Sequence, residues 1–222
     1  GYRGERQLPG DVRVALELVP NPSHLEVVNP VLMGVARARQ RVPDGTRDET
    51  LVLPIMVHGD AAFPGEGIVP ETFNLALLRG YRVGGSFHLI ANNQVGFTTD
   101  PMDARSTHYA SDLAKGFEVP VIHVNADDAE ACIHAVRISI AYRMQFRKDV
   151  LIDLVGYRRH GHNEADQPAF TQPKLYEAIK GHPTPREVFA ARLVQDGVLT
   201  DDDVRAMDKE VSDRLTKIFT QV

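Results

Sequence analysis

The sequence predicts an α/β protein built on a mostly parallel β-sheet with helices on both faces. Two observations carry this prediction. Several short segments are apolar at almost every position, which is typical of strands that are buried on both faces of a sheet. Helical patterns separate these segments, as they do in βαβ units. The predicted strands are residues 51–57, 86–91, 121–124 and 150–155.

Local signals predict the elements around these strands. Residues 1–13 are charged and contain Gly and Pro, which suits a loop or an element cut off from its context, and residues 14–19 favour a short strand. Helices are expected over residues 25–41 and 70–78, each with a proline near its start. Another helix follows a capping box of Asp127 and Glu130. Its apolar stripe is Ala129, Cys132, Ile133, Val136, Ile140 and Met144.

From residue 173 onward the pattern is helical only. Helices are predicted over residues 185–194 and 201–219, and Thr200 with Asp203 should cap the second of these. We therefore expect one α/β domain over residues 1–172, leaving open whether its N-terminal part is truncated. Residues 173–222 are predicted to be a helical extension of that domain.

Composition excludes several classes of protein. The 222 residues include 25 Lys and Arg against 30 Asp and Glu, and the formal net charge is −5. An apolar content of 43% is typical of a globular chain and argues against fibrous, disordered and membrane-spanning classes. No basic run is present, so we expect neither nucleic acid nor a membrane as a partner. The single cysteine, Cys132, excludes an internal disulfide and a Cys-rich zinc site.

Three polar turns follow predicted strands, and we name them turn 1 (residues 58–67), turn 2 (residues 92–97) and turn 3 (residues 157–164). Ligands of parallel sheets bind beyond the carboxyl ends of the strands, where these turns lie. Asp60 in turn 1 and Asn93 in turn 2 are separated by one βα unit. Together with the backbone carbonyl of Val95 they would offer Mg²⁺ the hard oxygen ligands that it prefers. Each turn taken alone is equally compatible with an ordinary solvated connection, so the prediction depends on their combination.

The residues of these turns also resemble a known family. Gly59-Asp60 followed about thirty residues later by Asn92-Asn93 resembles the cofactor motif of thiamine diphosphate enzymes. Over residues 14–173 the chain resembles the decarboxylating component of 2-oxoglutarate dehydrogenase complexes. The strings that carry this resemblance are NPSHLE (21–26), HGDAAF (58–63), NNQVGFTT (92–99), HVNADD (123–128) and YRRHGHNE (157–164).

Two departures from the family pattern stand in turn 1. Ala61 occupies a position that is Gly in the general thiamine motif, although Ala is usual in the 2-oxoglutarate branch. Pro64-Gly65-Glu66-Gly67 replaces the Ala-Gly-Gln-Gly that is common there, so Glu66 stands where that branch has Gln.

The resemblance implies a thiamine diphosphate-binding fold, of which this chain would be the diphosphate domain, with thiamine diphosphate and Mg²⁺ as cofactors. It implies Asp60, Asn93 and the Val95 carbonyl as metal ligands. It also implies catalytic roles for His24 and His162, since imidazole exchanges protons near neutral pH. The implied cofactor-binding residues are Ser23, Leu25, Asp60, Ala61, Ala62, Asn93, Val95, Arg158 and His162.

The activity implied by the resemblance is decarboxylation of 2-oxoglutarate on thiamine diphosphate, with transfer of the succinyl unit to a lipoyl group. The implied partners are 2-oxoglutarate, a lipoyl-bearing succinyltransferase component and a second copy in a homodimer. The glutamate that activates the cofactor is expected in another α/β domain, so we expect this chain to be part of a longer polypeptide and catalytically incomplete alone. A bacterial cytoplasm is the expected location, with the mitochondrial matrix as the alternative.

Other functions remain open at this point. A 2-oxoadipate or other 2-oxo acid dehydrogenase would share most of these motifs. A non-catalytic module that binds a phosphorylated ligand through magnesium would share the metal site alone. A P-loop or dinucleotide fold is disfavoured, because neither a Walker sequence nor Gly-x-Gly-x-x-Gly follows a predicted strand. Among the remaining histidines only His58, next to the Gly-Asp pair, keeps a possible role in the site.

Overall fold

The computed structural model describes residues 1–221, so the last residue of the predicted extension, Val222, lies outside the described part. The strands are β1 (Tyr2–Leu8), β2 (Val12–Leu18), β3 (Ile55–Gly59), β4 (Phe87–Asn92), β5 (Val121–Asn125) and β6 (Val150–Val155). The helices are α1 (Val28–Arg39), α2 (Ala62–Gly65), α3 (Ile68–Leu75), α4 (Pro101–Ala104), α5 (Asp112–Lys115), α6 (Ala129–Phe146), α7 (Pro173–Gly181), α8 (Pro185–Gln195) and α9 (Asp201–Phe219).

A parallel sheet of order β3-β4-β6-β5 forms the core, and helices cover both of its faces. On one face α3 and α5 pack against Ile90 and Leu151, which are fully buried. On the other face α6 packs against Phe87 and Ile152. Alternate residues of each strand point to opposite faces, so both layers are needed to bury these apolar strands. The predicted α/β fold class is confirmed.

The prediction that the apolar stripe of α6 is its buried side is wrong. The buried residues of this helix are Ala135, Ser139 and Arg143, spaced one turn apart. Ile133 and Ile140 of the predicted stripe are 52% and 39% exposed. Small side chains at the inner face let the helix approach the sheet closely, and Arg143 reaches the carbonyl oxygens of residues 49 and 52, each at 2.8 Å. Periodicity alone therefore identified the helix but not its buried side.

The predicted capping box of α6 is also misplaced. The N-cap residue is Asp128, whose carboxylate accepts a hydrogen bond from the backbone N–H of Ala131 at 3.0 Å. Asp127 instead contacts His182, whose Nε2 lies 2.7 Å from its Oδ2.

The N-terminal residues form a hairpin, so of the two alternatives expected for residues 1–13 the loop is wrong. β1 pairs antiparallel with β2, in register from Tyr2 opposite Leu18 to Leu8 opposite Val12. Gly10 and Asp11 make the turn with φ values of +80° and +57°, a conformation that Gly and Asp tolerate. Both faces of this hairpin are largely exposed, so charged residues are tolerated on either face. The alternation of apolar and polar residues that predicts a half-buried strand is therefore absent from β1.

The C-terminal helices α7, α8 and α9 follow the predicted pattern. Thr200 and Asp203 form the predicted capping box of α9. Gln172, just before α7, is buried and donates to the carbonyl oxygen of Thr98 at 2.7 Å, which ties the start of the extension to the residues after turn 2. The division at residue 172 stays a prediction. Within residues 1–221 no helix combines the length and apolar character that crossing a bilayer requires.

Candidate functional site

The strand order brings the three polar turns to one edge of the sheet. β3, β4 and β6 are parallel neighbours, and Gly59 lies opposite Ala91, which lies opposite Leu154. The carboxyl ends of these strands are therefore level. Turn 2 lies between turn 1 and turn 3, although the three turns are far apart in the sequence.

Asp60 leaves the end of β3 as a buried carboxylate. It is 3% exposed, and its Oδ1 accepts one long hydrogen bond, from the backbone N–H of Asn93 at 3.3 Å. Burial raises the pKa of Asp60, and the Asn93 N–H and the Arg105 guanidinium offset this only in part. A buried carboxylate with so few partners has capacity left for a cation.

Turn 2 holds two further oxygen atoms beside Asp60. The amide oxygen of Asn93 accepts from the Val95 N–H at 3.2 Å and keeps a second lone pair. The carbonyl of Val95 accepts no hydrogen bond within residues 1–221. Gln94 and Phe97 adopt φ values of +61° and +56°, which are uncommon for residues with side chains and typical of functional turns.

These atoms fit the ligand chemistry of Mg²⁺. A carboxylate, an amide oxygen and a free backbone carbonyl are all hard oxygen donors. A Cβ added to Gly96 would lie 2.9 Å from the Cβ of Ala61, so turns 1 and 2 are in close contact and only small residues fit there. Residues 1–221 contain no cluster of three His, Cys, Asp or Glu arranged for a metal, and the predicted set includes just one such residue.

Turn 3 and Gly156, the residue before it, contact turn 2. The side chain of Gln94 donates to the carbonyl oxygen of Gly156 at 2.8 Å. Arg158 donates to the carbonyl oxygen of Phe97 at 3.2 Å, and the ring of Phe97 lies 4.8 Å from the exposed imidazole of His162. The predicted cationic groups thus lie beside the predicted metal ligands in the fold.

The loop of residues 21–26 borders the same region. His24 and Leu25 line a cavity of about 410 Å³ together with Gly59 and Ala62. Ser23 is exposed, and its Oγ lies 3.5 Å from Nδ1 of His24. No hydrogen bond or ring contact joins His24 to His162 in the described part of the chain, so the two predicted catalytic residues occupy separate positions around the site.

His58 connects this loop to the sheet. Its Nδ1 lies 2.6 Å from Oε2 of Glu26, and its Nε2 lies 3.0 Å from Nδ1 of His88. Burial lowers the pKa of His58, although the hydrogen bond with Glu26 opposes this effect. The contact with His58 thus joins Glu26, and with it residues 23–25 that immediately precede Glu26, to β3.

Asp153 and Arg105 lie near the site but were missed in the sequence. Asp153 is fully buried on β6 and contacts the side chains of Asn92 at 3.0 Å, Ser111 at 3.3 Å and His123 at 3.0 Å. It thereby anchors the first residue of turn 2. A lone carboxylate within an apolar strand was its signal. Arg105 follows the short helix α4 and had no recognisable signal.

The fold and the position of these groups define the chain as an α/β protein with a candidate ligand site at the carboxyl edge of a parallel sheet. Comparison with known proteins specifies the family. Residues 4–222 match the family described as dehydrogenase E1 component, and the chain belongs to this family.

Curated relatives give the same result. The chain is 54% identical over 211 residues to a protein of Bacillus subtilis (strain 168) named 2-oxoglutarate dehydrogenase E1 component, with 93% of this chain and 22% of that protein covered. A Bacillus cereus protein (strain B4264) of the same name is 54% identical over 218 residues, with 96% and 23% covered. A Geobacillus kaustophilus protein (strain HTA426), also of this name, is 53% identical over 213 residues, with 93% and 22% covered. The chain thus spans less than a quarter of the length of these relatives.

Proposed function

We propose that this chain forms the diphosphate- and magnesium-binding part of a 2-oxoglutarate dehydrogenase E1 component. The observation that carries the proposal is the convergence of Asp60, Asn93 and the free Val95 carbonyl at one edge of the sheet. The family match and the names of the relatives support the particular activity.

In this proposal Asp60, Asn93 and the Val95 carbonyl hold Mg²⁺. Ala61 and Ala62 have small side chains, which allow the diphosphate to approach the backbone of turn 1. Arg158 and His162 supply positive charge or hydrogen-bond donors to the diphosphate from turn 3. Thiamine diphosphate, when bound, supplies the electron sink that decarboxylation of a 2-oxo acid requires.

The chain contributes to substrate handling through the loop of residues 21–26. Ser23, His24 and Leu25 are proposed to contact the cofactor and the 2-oxo acid, and His24 and Leu25 line the 410 Å³ cavity. The exposed imidazole of His24 is suited to bind the substrate carboxylate or to move a proton at the reacting carbon. Glu26 and His58 would fix this loop, since their 2.6 Å contact joins it to β3.

The proposed partners are 2-oxoglutarate, a lipoyl-bearing succinyltransferase component and a second copy of the chain in a homodimer. The proposed location is the cytoplasm of a bacterium, with the mitochondrial matrix as the alternative. A different 2-oxo acid and a non-catalytic magnesium-phosphate module are less favoured, because the relatives named above share one substrate in their names.

Calorimetry on the full natural chain tests the cofactor site. Thiamine diphosphate should bind in the presence of Mg²⁺ and lose its affinity in Asp60→Ala and in Asn93→Ala. Asp100→Asn is the control, because Asp100 is exposed and its side chain makes no helix-capping bond. Unchanged affinity in both site variants would contradict the proposed metal ligands.

Turnover distinguishes the candidate substrates. With thiamine diphosphate, Mg²⁺ and an artificial electron acceptor, kcat/KM should be highest for 2-oxoglutarate among 2-oxoglutarate, 2-oxoadipate and pyruvate. A higher value for 2-oxoadipate would move the assignment to the sibling enzyme. Tight cofactor binding without any decarboxylation would favour the non-catalytic module.

A further inference from the structure

Arg105 is a buried cation with unused hydrogen-bonding capacity. It follows α4 in an extended conformation, and only 10% of its side chain is exposed. Its Nε and Nη1 atoms are buried and have no hydrogen-bond partner within residues 1–221. Nearly all buried donors in proteins are paired, so two unpaired donors on one guanidinium indicate an acceptor that binds there.

Asp60 does not satisfy this guanidinium. The shortest distance is 3.8 Å, between Nη1 of Arg105 and Oδ2 of Asp60, which is too long for a hydrogen bond. The two opposite charges thus face each other without a direct bond, and each retains capacity for a ligand of opposite charge.

We infer that Arg105 donates hydrogen bonds to diphosphate oxygens of the cofactor whose metal is held by Asp60. The inference rests on the proposed function. A metal-diphosphate complex presents a cation and anionic oxygens side by side, which matches a carboxylate and a guanidinium held 3.8 Å apart. The planar fork of Arg binds two phosphate oxygens at once. The diphosphate would thus be bound by Arg105, from the segment after turn 2, as well as by Arg158 and His162 of turn 3.

A purely structural alternative makes different predictions. If Arg105 were only a counter-ion for Asp60, its removal would leave the affinity for the diphosphate unchanged or higher, because a cation that competes with the metal would be gone. If Arg105 binds the diphosphate, its removal must instead lower the affinity for the cofactor. The affinity for the metal alone should not fall. Two binding measurements therefore separate the alternatives.

The experiment compares Arg105→Gln and Arg105→Lys with the wild type in the full natural chain. Arg137→Gln is the matched control, because Arg137 is exposed on α6 and forms no ion pair or hydrogen bond through its side chain within residues 1–221. Calorimetry measures thiamine diphosphate affinity at saturating Mg²⁺, and electron paramagnetic resonance measures Mn²⁺ affinity without cofactor. We expect Arg105→Gln to weaken thiamine diphosphate binding at least tenfold, to leave Mn²⁺ binding as strong or stronger, and Arg137→Gln to change neither.

Other outcomes overturn the inference. Wild-type cofactor affinity in Arg105→Gln excludes the proposed bonds, and an equal loss of cofactor and Mn²⁺ affinity shows damage to the Asp60 site instead. If circular dichroism shows that Arg105→Gln is unfolded, Arg105→Lys decides, since it keeps the charge but loses the fork: a loss of at least threefold supports the inference and unchanged affinity overturns it. Failure of the wild type to bind thiamine diphosphate would contradict the proposed function itself. This outcome differs from a failure of the Arg105 inference, in which the wild type binds the cofactor and Arg105→Gln binds it equally well.

Discussion

Replacing Asp60 by Asn should change stability in opposite directions with and without the cofactor. The raised pKa of Asp60 means that the folded protein disfavours its charged form, even with Arg105 nearby. A raised carboxyl pKa contributes stability below the ordinary pKa of aspartate, and this contribution is lost as pH rises through the folded-state value. At neutral pH without metal, Asp60→Asn removes the buried charge and should raise the free energy of unfolding. The gain should disappear at pH values below the ordinary pKa of aspartate.

The bound state should show the reverse effect. A ligand at a hundred times its Kd stabilises the folded state by about 2.7 kcal/mol. For a domain of 150–250 residues each kcal/mol shifts Tm by about 2–4 °C, so Mg²⁺ with thiamine diphosphate should raise the Tm of this domain within the full natural chain by about 5–11 °C. Asp60→Asn removes a metal ligand and should lose most of this shift.

Thermal unfolding followed by circular dichroism, with chelator or with saturating cofactor, measures both effects. Asp100→Asn is the control, since Asn and Asp are equivalent at an N-cap and the residue is exposed. A full cofactor shift in Asp60→Asn would refute its role as metal ligand. A lower Tm of the variant without metal would refute the reasoning about its buried charge.

Four substitutions test the fold itself by urea unfolding. Arg143→Leu leaves the carbonyl oxygens that Arg143 contacts without a donor, at about 1–3 kcal/mol for each group, so a total loss below 1 kcal/mol would contradict this role. Gly85→Ala should destabilise strongly, because φ is +86° and the new Cβ would lie 2.3 Å from a backbone oxygen, whereas Gly34→Ala in the open middle of α1 should stabilise by up to about 1 kcal/mol. Leu215→Gln on the exposed stripe of α9 should change stability by less than about 0.5 kcal/mol, and a larger loss would reveal packing there.

The fold was predictable where local signals and tertiary packing agree. The predicted bounds of β6 and α9 match the structure, since an apolar run bounded by polar residues and a capping box are both local features. The buried side of α6 was not predictable. Its inner face carries Ser139 and Arg143, which are buried only because this face meets the sheet and the carbonyls at its edge.

The site was predictable from residues that occupy strand ends. Asp60 and Asn93 are polar residues directly after apolar runs, and parallel pairing brings such positions together. Arg105 could not be found in this way, because it follows a four-residue helix and reaches Asp60 through the folding of its loop. The roles of the predicted site residues themselves stay predictions until binding is measured.

The strand order also has a consequence for synthesis on the ribosome. Within residues 1–221 β6 is the last strand in the sequence, yet it lies between β4 and β5 and hydrogen-bonds to both. Until residue 155 has left the exit tunnel, the nascent chain can pair β3 with β4 but has no neighbour for β5, and two strand edges stay open to other chains. We expect chains arrested before β6 to be the species that chaperones retain and that aggregate, while release of β6 joins β4 to β5 in one step.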